Sequence, residues 1–293
     1  MTEKERFDYF RNMIEKRLTE PLSSLEYPDK TLVDSMKYSL EVGGKRIRPV
    51  ILLEFNRLCG GKTEDALPFA LAIEYIHTYS LIHDDLPCMD NDDFRRGKPS
   101  NHKVFGEACA VLSGDALLNL AFEVMLGEND CTAPPELRMR AASTIAAASG
   151  ACGMVGGQAI DMSGAARIDQ SYLERMDSLK TGAILRAAGI AGCILAGAGI
   201  DKIEAAKNYC NNIGLAFQIR DDMLDILGDE DILGKPVGSD AGSGKVTYVD
   251  ILGLDGCSAE IERLTVSAIN ALKSFEDHGI LTWLALTLSE RTK

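Results

Sequence analysis

A chain of 293 residues with 46% hydrophobic content is long enough to bury a large core. The net charge of −13, from 31 basic and 44 acidic residues, excludes a protein that binds nucleic acid through a generally basic surface. The eight cysteines contain no CxxC pair, so we expect neither a disulfide scaffold nor a zinc ribbon, and a reducing cytoplasm is the simplest location.

Neither the charged N-terminal segment nor the Ala- and Gly-rich run 187–200 indicates targeting or membrane insertion. The residues from Met1 to Leu18 are highly charged and include acids, so they fit neither a signal peptide nor an organelle transit peptide. The run 187–200 comprises fourteen uncharged residues and is rich in Ala and Gly. That length is too short to span a bilayer, and we predict a buried, closely packed helix and no stable membrane anchor.

Helical periodicity recurs along most of the chain. It predicts helices over 7–18, 32–42, 50–58, 66–82, 107–126, 136–149, 172–199, 202–227, 258–275 and 280–288. We expect the helix over 107–126 to be buried, because it is apolar almost all round. The Gly- and Asp-rich stretch 228–245 predicts a mobile loop. Period-2 alternation and Gly-rich phosphate turns are missing, which indicates one all-α domain over 1–293 with roughly ten or more helices.

Two acidic clusters interrupt this apolar pattern. The first places five carboxylates within ten residues, Asp84, Asp85, Asp90, Asp92 and Asp93, directly after the apolar run that ends at Ile82. The second comprises Asp221, Asp222 and Asp225. Asp221 and Asp225 are four apart and project from one helix face, whereas Asp222 lies about 100° around and can only support them. Pro87 ends the straight helix, so that Asp84 and Asp90 can still reach one ion.

Paired carboxylates repel each other unless a cation lies between them. Magnesium favours one or two carboxylates together with phosphate oxygens. A solvated acidic surface is the competing interpretation, but both clusters alternate with apolar residues. The clusters lack the calcium-loop register and the Glu-x-x-His motifs of di-iron sites. Zinc would favour several His or Cys ligands, whereas only His83 lies beside the first cluster and only Cys88 within it. We therefore predict that the clusters face each other across one cavity and hold Mg²⁺ against a diphosphate.

Basic residues at turns supply the other half of such a site. Arg forks phosphate oxygens and Lys acts as a point charge, so an enzyme that binds two diphosphates needs several of them. The candidates all lie in or beside Gly, Pro or Asp turns: Lys45, Arg46, Arg48, Arg95, Arg96, Lys180, Lys235 and Lys245.

Taken together, these motifs resemble the trans-isoprenyl diphosphate synthase family, and in particular its bacterial farnesyl diphosphate synthases, from Phe7 to Arg291. The motifs that carry the resemblance are 43–49 (Gly-Gly-Lys-Arg-Ile-Arg-Pro), His77, the two Asp-rich motifs, 95–97, 114–115, 157–158, 180–182, Gln218, 234–235 and 238–240. Either Asp-rich motif alone would be a weak signal, but two in one all-α chain are specific.

The resemblance implies a single-domain helical bundle with a central apolar cavity, a homodimer, and three Mg²⁺ ions per active site. It assigns the isopentenyl diphosphate to Lys45, Arg48, His77 and Arg96. It assigns the allylic diphosphate to Arg95, Lys180, Lys235 and Lys245, with Thr181 and Gln218 lining the same pocket. Asp84 and Asp90 would bind two ions, and Asp221, helped by Asp225, the third; Asp85 and Asp222 complete the catalytic acids.

Product length depends on the residues just before the first Asp-rich motif. Tyr79 and Ser80 lie five and four residues before Asp84, and a helix places Tyr79 about 7.5 Å below the metals. The resemblance implies that a bulky ring there stops the growing tail at fifteen carbons. An ordinary core aromatic is the competing interpretation of Tyr79, and products of twenty or ten carbons stay open. Two rival functions are a class I terpene cyclase and a non-catalytic subunit of a heteromeric synthase.

Overall fold

Helices account for nearly all of the regular structure in the computed structural model, which describes residues 1–24, 28–127, 131–163, 168–227 and 246–290. They are α1 (Glu3–Arg17), α2 (Pro21–Ser24), α3 (Lys30–Glu41), α4 (Ile47–Leu58), α5 (Thr63–Asp84), α6 (Asn101–Phe105), α7 (Glu107–Leu126), α8 (Pro135–Ser149), α9 (Met154–Ser163), α10 (Gln170–Lys180), α11 (Gly182–Leu195), α12 (Ile200–Leu227), α13 (Tyr248–Ala271) and α14 (Gly279–Ser289). A two-stranded ribbon, β1 (Phe94–Arg95) and β2 (Lys98–Pro99), and a 3-10 turn (Leu272–Ser274) complete the described elements. The all-α prediction is confirmed.

The centre of the bundle is α5, most of whose residues are buried. Helices α4 and α7 pack along it, and α11 packs against α4, α8 and α12. The contact between α11 and α4 is close: a Cβ added at Gly192 would lie 2.3 Å from the carbonyl oxygen of Leu52. The prediction of a buried, closely packed helix in this run is confirmed for the part within α11, which ends at Leu195. Small residues here let the backbones of α11 and α4 approach closely. Helix α11 also contacts both α5 and α12, which lie on opposite sides of one interior space.

Sequence periodicity misplaced several elements. The predicted helix 172–199 is two helices, α10 and α11, which meet at Thr181 with a bend of 49°. The predicted helix 258–275 is preceded by a helical segment that begins at Tyr248, with a break at Gly253 (φ 67°), and Thr247 and Asp250 form a capping box at its start. The predicted burial of α7 is correct for one face, but the other face exposes Leu112 and Leu126 among other residues. Tertiary packing decides these features, and local periodicity does not report it.

The ribbon β1–β2 was missed because its turn carries an unusual pair. Arg96 (φ 53°) and Gly97 (φ 75°) both occupy the left-handed region, which a two-residue hairpin of type I′ requires. Arginine is an uncommon choice for that position. The turn directs Arg95 and Arg96 towards the interior space described below. The predicted loop over 228–245 lies outside the described residues.

Candidate active site

One large cavity runs between α5, α9, α10, α11 and α12, with a volume of about 1070 Å³. The predicted site residues that line it are Lys45, Arg48, His77, Tyr79, Ser80, Asp84, Asp90, Arg95, Arg96, Lys180, Thr181, Gln218, Asp221, Asp222 and Asp225. These residues come from five separate parts of the sequence and meet in one space. Lys235 and Lys245 lie outside the described residues.

The first Asp-rich motif folds back on itself at the end of α5. The backbone N–H of Asp90 donates to the carbonyl of Asp84 at 2.9 Å, and the N–H of Asn91 donates to the carbonyl of Leu86 at 3.1 Å. This tight turn, with Asn91 at φ 56°, returns Asp90 to the side of Asp84. A straight helix would have put residues six apart on different faces, so the turn after Pro87 makes the pair possible.

Burial raises the pKa of Asp84 to about 6; Lys180 lowers it and Asp90 raises it further. A carboxyl group with this balance gains from a cation that neutralises it and its neighbour together. Asp84 is partly buried at the cavity wall, where such a cation would be partly shielded from water. The electrostatics therefore suit a divalent ion at this wall.

Asp85 is the one described member of the predicted site that does not line the cavity. It is buried, and its Oδ1 accepts the Nε–H of Arg95 at 2.9 Å and a second, shorter bond from the same guanidinium. Arg95 also donates to Asp92 at 3.3 Å. Adjacent helical residues point about 100° apart, so Asp85 turns away from Asp84 and holds Arg95 in place. Asp85 is therefore ion-paired with Arg95 and does not line the cavity.

The second Asp-rich motif lies on α12, across the cavity. Asp222 is buried and accepts the backbone N–H of Tyr248 at 2.9 Å, which ties the start of α13 to the motif. The predicted role of Asp222, support for Asp221 and Asp225, stays a prediction. Asp221 and Asp225 share the face that the sequence predicted. Burial, and then the charge of Asp222, raises the pKa of the nearby Asp177 carboxyl to about 7.

Among the described residues, no three acidic, His or Cys side chains are arranged to hold an ion by themselves. The two Asp-rich motifs instead offer carboxylate oxygens from opposite walls. Mg²⁺ usually takes one or two carboxylates and completes its octahedron with water and substrate phosphate. This all-oxygen donor set, divided between two walls, fits an ion that is bound together with a diphosphate.

Cations gather beside the start of α4. Arg48, His77 and Arg96 share the wall, and the guanidinium of Arg96 donates to the carbonyl of Gly43. A Cβ at Gly44 would lie 2.6 Å from Arg96 Nη1, so glycine is needed for this approach. Burial, followed by the charges of Arg48 and Arg96, holds the pKa of His77 well below its ordinary value. His77 is therefore neutral at physiological pH and can donate one hydrogen bond to an anion.

Arg46 differs from its neighbours, although it carries the same charge. It is 2% exposed and sits at φ 51°. Its guanidinium donates to Glu15 at 2.7 Å, to Glu74, and to the carbonyl of Leu40 at 2.6 Å. These contacts occupy the fork, so Arg46 ties α1, α3 and α5 together.

A second cation of the cavity wall, Lys180, lies at the end of α10. Its Nζ pairs with Asp161 of α9 at 2.6 Å, and Thr181 Oγ1 donates to Gln218 Oε1 at 3.3 Å. A Cβ at Gly157 would lie 2.1 Å from the Lys180 backbone nitrogen, so this glycine sets the close contact of α9 with α10.

Sequence reasoning assigned no role to several residues of the cavity wall, namely Glu74, Asp92, Gln158, Asp161 and Phe217, although Asp92 and Gln158 lie in the motifs it noted. Glu74 lies three residues before His77 on the same helix, and Asp161 is a lone charge four residues after Gly157 in an apolar run. These spacings were the available signals.

Away from the charges, the wall becomes apolar. Its lining residues there are Tyr79, Met154, Val155, Met162, Leu173, Met176, Ile184, Phe217 and Leu224. Burial, and then the charge of Asp84, raises the pKa of the Tyr79 phenol to about 12, which keeps it neutral. The cavity wall therefore combines charged residues with a group of apolar residues.

The family profile described as Polyprenyl synthetase matches residues 29–283. The chain belongs to the polyprenyl synthetase family. It is 48% identical over 252 residues to the farnesyl diphosphate synthase of Geobacillus stearothermophilus, covering 86% of this chain and 84% of the relative. It is 44% identical over 260 residues to geranylgeranyl pyrophosphate synthase 9, chloroplastic, of Arabidopsis thaliana, covering 87% of this chain and 72% of the relative.

The fold is shared with solved polyprenyl synthetases. A crystal structure described as an FPP/GFPP synthase from Zymomonas mobilis superposes with a TM-score of 0.86 at 39% identity, covering 97% of both chains. These similarities confirm the predicted family, the helical fold and the predicted enzyme class, a trans-prenyltransferase of isoprenoid biosynthesis.

Proposed function

We propose that this protein condenses isopentenyl diphosphate with dimethylallyl and geranyl diphosphate to give farnesyl diphosphate and pyrophosphate. One observation carries the proposal: two acidic motifs and two cationic groups line one cavity whose remaining wall is apolar. Each of the two substrates has a diphosphate and a hydrocarbon part, so the cavity needs both charged and apolar lining. A geranylgeranyl or geranyl diphosphate product is the alternative, because relatives of similar identity are described as geranylgeranyl synthases.

In this proposal Asp84 and Asp90 hold two Mg²⁺ ions, and Asp221 with Asp225 holds a third. The ions, when bound, neutralise the allylic diphosphate and make it a better leaving group. Arg95 and Lys180 bind the same diphosphate, and Lys235 and Lys245 are proposed to join them. Asp85 and Asp161 keep Arg95 and Lys180 directed at the cavity through the ion pairs already described. Preorganised cations of this kind stabilise charge as it develops.

The other substrate is held by the wall beside α4. Lys45, Arg48, His77 and Arg96 bind the diphosphate of isopentenyl diphosphate. Its double bond is then close to the allylic carbon, which gains from proximity. The allylic C–O bond breaks and its electron pair leaves with pyrophosphate; the double bond forms the new C–C bond, and a proton passes to the pyrophosphate. The Thr181 and Gln218 oxygens face the developing cation, and the apolar wall keeps water away.

A product assay tests this function. We would incubate the purified chain with Mg²⁺, isopentenyl diphosphate and dimethylallyl diphosphate, and size the dephosphorylated alcohols by chromatography. A dominant fifteen-carbon alcohol is the expected result. A twenty-carbon alcohol would keep the reaction and reject the product. No elongation from any allylic primer, or cyclised hydrocarbons, would favour the non-catalytic subunit or the terpene cyclase.

Tyr79→Ala is expected to lengthen the main product by one or more five-carbon units. Tyr79 is 6% exposed and lines the apolar part of the cavity on the same helix as Asp84. Removing its ring opens the path of the growing tail, and chromatography of the alcohols measures the shift. Tyr9→Ala is the matched control, because Tyr9 is 52% exposed on α1 and does not line the cavity. An unchanged product in Tyr79→Ala would reject Tyr79 as the floor.

We also propose a homodimer formed through the exposed face of α7. This face carries Val111, Leu112 and Leu126, with 39%, 57% and 55% exposure. Apolar groups of this size on one helix face mark an association surface. We expect light scattering to give the mass of two chains of 31.7 kDa, and Leu112→Glu to give one. Leu286→Glu, at an exposed position on α14, should leave the mass unchanged, and a monomeric wild type would contradict the proposal.

We place the protein in the cytoplasm without a membrane anchor, as one polyprenyl synthase domain over 1–293. By length and composition alone, α7 could cross a membrane, as could α10 and α11 if taken as one bent span. The exposed face of α7, however, also carries Asp115, Asn119 and Glu123, and charged groups are costly in hydrocarbon. The other face of α7 packs against α5 in the core.

A further inference from the structure

A histidine lies behind the proposed floor of the cavity. His83 is the neighbour of Asp84 on α5 and follows Tyr79 by four residues, so the two rings share a helix face. Their centroids lie 5.7 Å apart with an interplanar angle of 79°, an edge-to-face contact. The imidazole also forms part of the cavity wall. The His83 ring therefore packs against one side of the Tyr79 ring.

The imidazole is itself fixed by α7. Its Nε2 lies 3.0 Å from the carbonyl oxygen of Val111. A carbonyl only accepts, so Nε2 carries the proton and donates this bond. Asp115, one turn further along α7, has its Oδ1 4.0 Å from the same nitrogen. Two groups on α7 thus set the orientation of a ring that belongs to α5.

Gly114 makes room for this arrangement. A Cβ added there would lie 2.1 Å from His83 Nε2 and 2.5 Å from its Cδ2. Real Cβ atoms do not approach so closely, and the contact involves the ring itself and not the end of a flexible chain. Any other residue at 114 would move the imidazole. Glycine inside a helix is less stabilising than alanine. The close packing of the His83 ring explains why position 114 is nevertheless a glycine.

We propose that His83 is a positioning residue that sets product length by holding the Tyr79 ring across the path of the growing tail. The inference rests on the proposed function, and in particular on Tyr79 as the floor. With His83 removed, the space towards α7 opens and the Tyr79 ring can turn into it. The tail then extends past the floor although Tyr79 is still present. We expect the chemistry at Asp84 to be unaffected, because adjacent residues of a helix project about 100° apart.

His83→Ala tests the inference through product length with dimethylallyl diphosphate as primer. The expected result is a main alcohol longer by one five-carbon unit, with KM for isopentenyl diphosphate and the Mg²⁺ dependence of the rate within about twofold of wild type. His83→Phe keeps a ring against Tyr79 and should restore the wild-type product. His278→Ala is the matched control, because His278 is a partly buried histidine bonded to Thr282 at 3.0 Å and does not line the cavity.

Gly114→Ala provides a second route that leaves both rings in the chain. The new methyl group should displace the imidazole and lengthen or broaden the product distribution. It should have no further effect in the His83→Ala background, where the clash is gone. Gly199→Ala is the control, because a Cβ there meets nothing within 4 Å.

The outcomes separate the inference from the function on which it rests. If Tyr79→Ala lengthens the product while His83→Ala and Gly114→Ala leave it at the wild-type length, the role of His83 is rejected and the floor stands. If none of the three changes the product, the floor and His83 are rejected together. If the Tyr79→Ala/His83→Ala double variant makes the same product as Tyr79→Ala alone, His83 acts through Tyr79 as proposed. An additive lengthening would reject that route. A wild type that does not elongate would overturn the function and the inference with it.

Discussion

Asp84→Ala is expected to lower kcat/KM by at least about 10³-fold while leaving the fold intact, since preorganised electrostatic groups at a developing charge are each worth about 10²–10³. Asp84 is partly buried, its pKa is raised to about 6, and it lies beside Asp90 at the end of α5. Removing it takes away a proposed ligand of two ions. It also relieves a carboxyl group that burial destabilises, so we expect no loss of thermal stability.

The measurement is the steady-state rate of allylic elongation over a series of Mg²⁺ concentrations, with the melting temperature recorded in parallel. Asp93→Ala is the matched control from the same acidic stretch, because Asp93 is exposed, pairs with Lys103 at 2.8 Å and does not line the cavity. It should keep the wild-type rate. Retained activity in Asp84→Ala with unaltered Mg²⁺ dependence would contradict the metal assignment.

Arg48→Ala is expected to raise KM for isopentenyl diphosphate by about tenfold to a hundredfold, because hydrogen bonds to charged groups contribute about 1.5–3 kcal/mol. Arg48 is partly buried at the cavity wall, where burial lowers its pKa, Glu74 and Asp221 raise it, and Arg96 lowers it. A diphosphate would compensate this wall of cations. Separate titrations of the two substrates measure the effect, and KM for the allylic substrate should change little.

Arg46→Ala, two residues away in the sequence, should lower stability and leave KM for isopentenyl diphosphate unchanged. Its guanidinium is already bonded to Glu15, Glu74 and the carbonyl of Leu40. Breaking a buried ion pair on one side costs about 3–5 kcal/mol, so the variant should lose free energy of unfolding in urea. Any protein that remains folded should keep its KM for isopentenyl diphosphate. A weaker substrate affinity in Arg46→Ala with unchanged stability would show that the two arginines have been assigned the wrong way round.

Local chemistry made the helices and the two Asp-rich motifs predictable. Apolar residues at helical spacing must bury one face, and Asp221 and Asp225 share a face because four residues complete about one turn. The spacing also set Asp222 apart on the helix, and the structure adds its bond from the backbone N–H of Tyr248. The motifs with their glycines and cations were also specific enough to indicate the polyprenyl synthetase family before any fold was known.

The sequence by itself therefore determined the helical class, the acidic motifs, the cationic turns and the family. The tertiary structure decided what each charge does. Arg46 and Arg48 are two residues apart and both line the cavity, yet the guanidinium of Arg46, at an αL position, is ion-paired with Glu15 and Glu74. Asp84 and Asp85 also differ in their contacts: Asp84 lines the cavity, whereas Asp85 is ion-paired with Arg95. The seat that Gly114 makes for His83 joins residues 31 apart, and no local pattern reports a contact made by packing two helices.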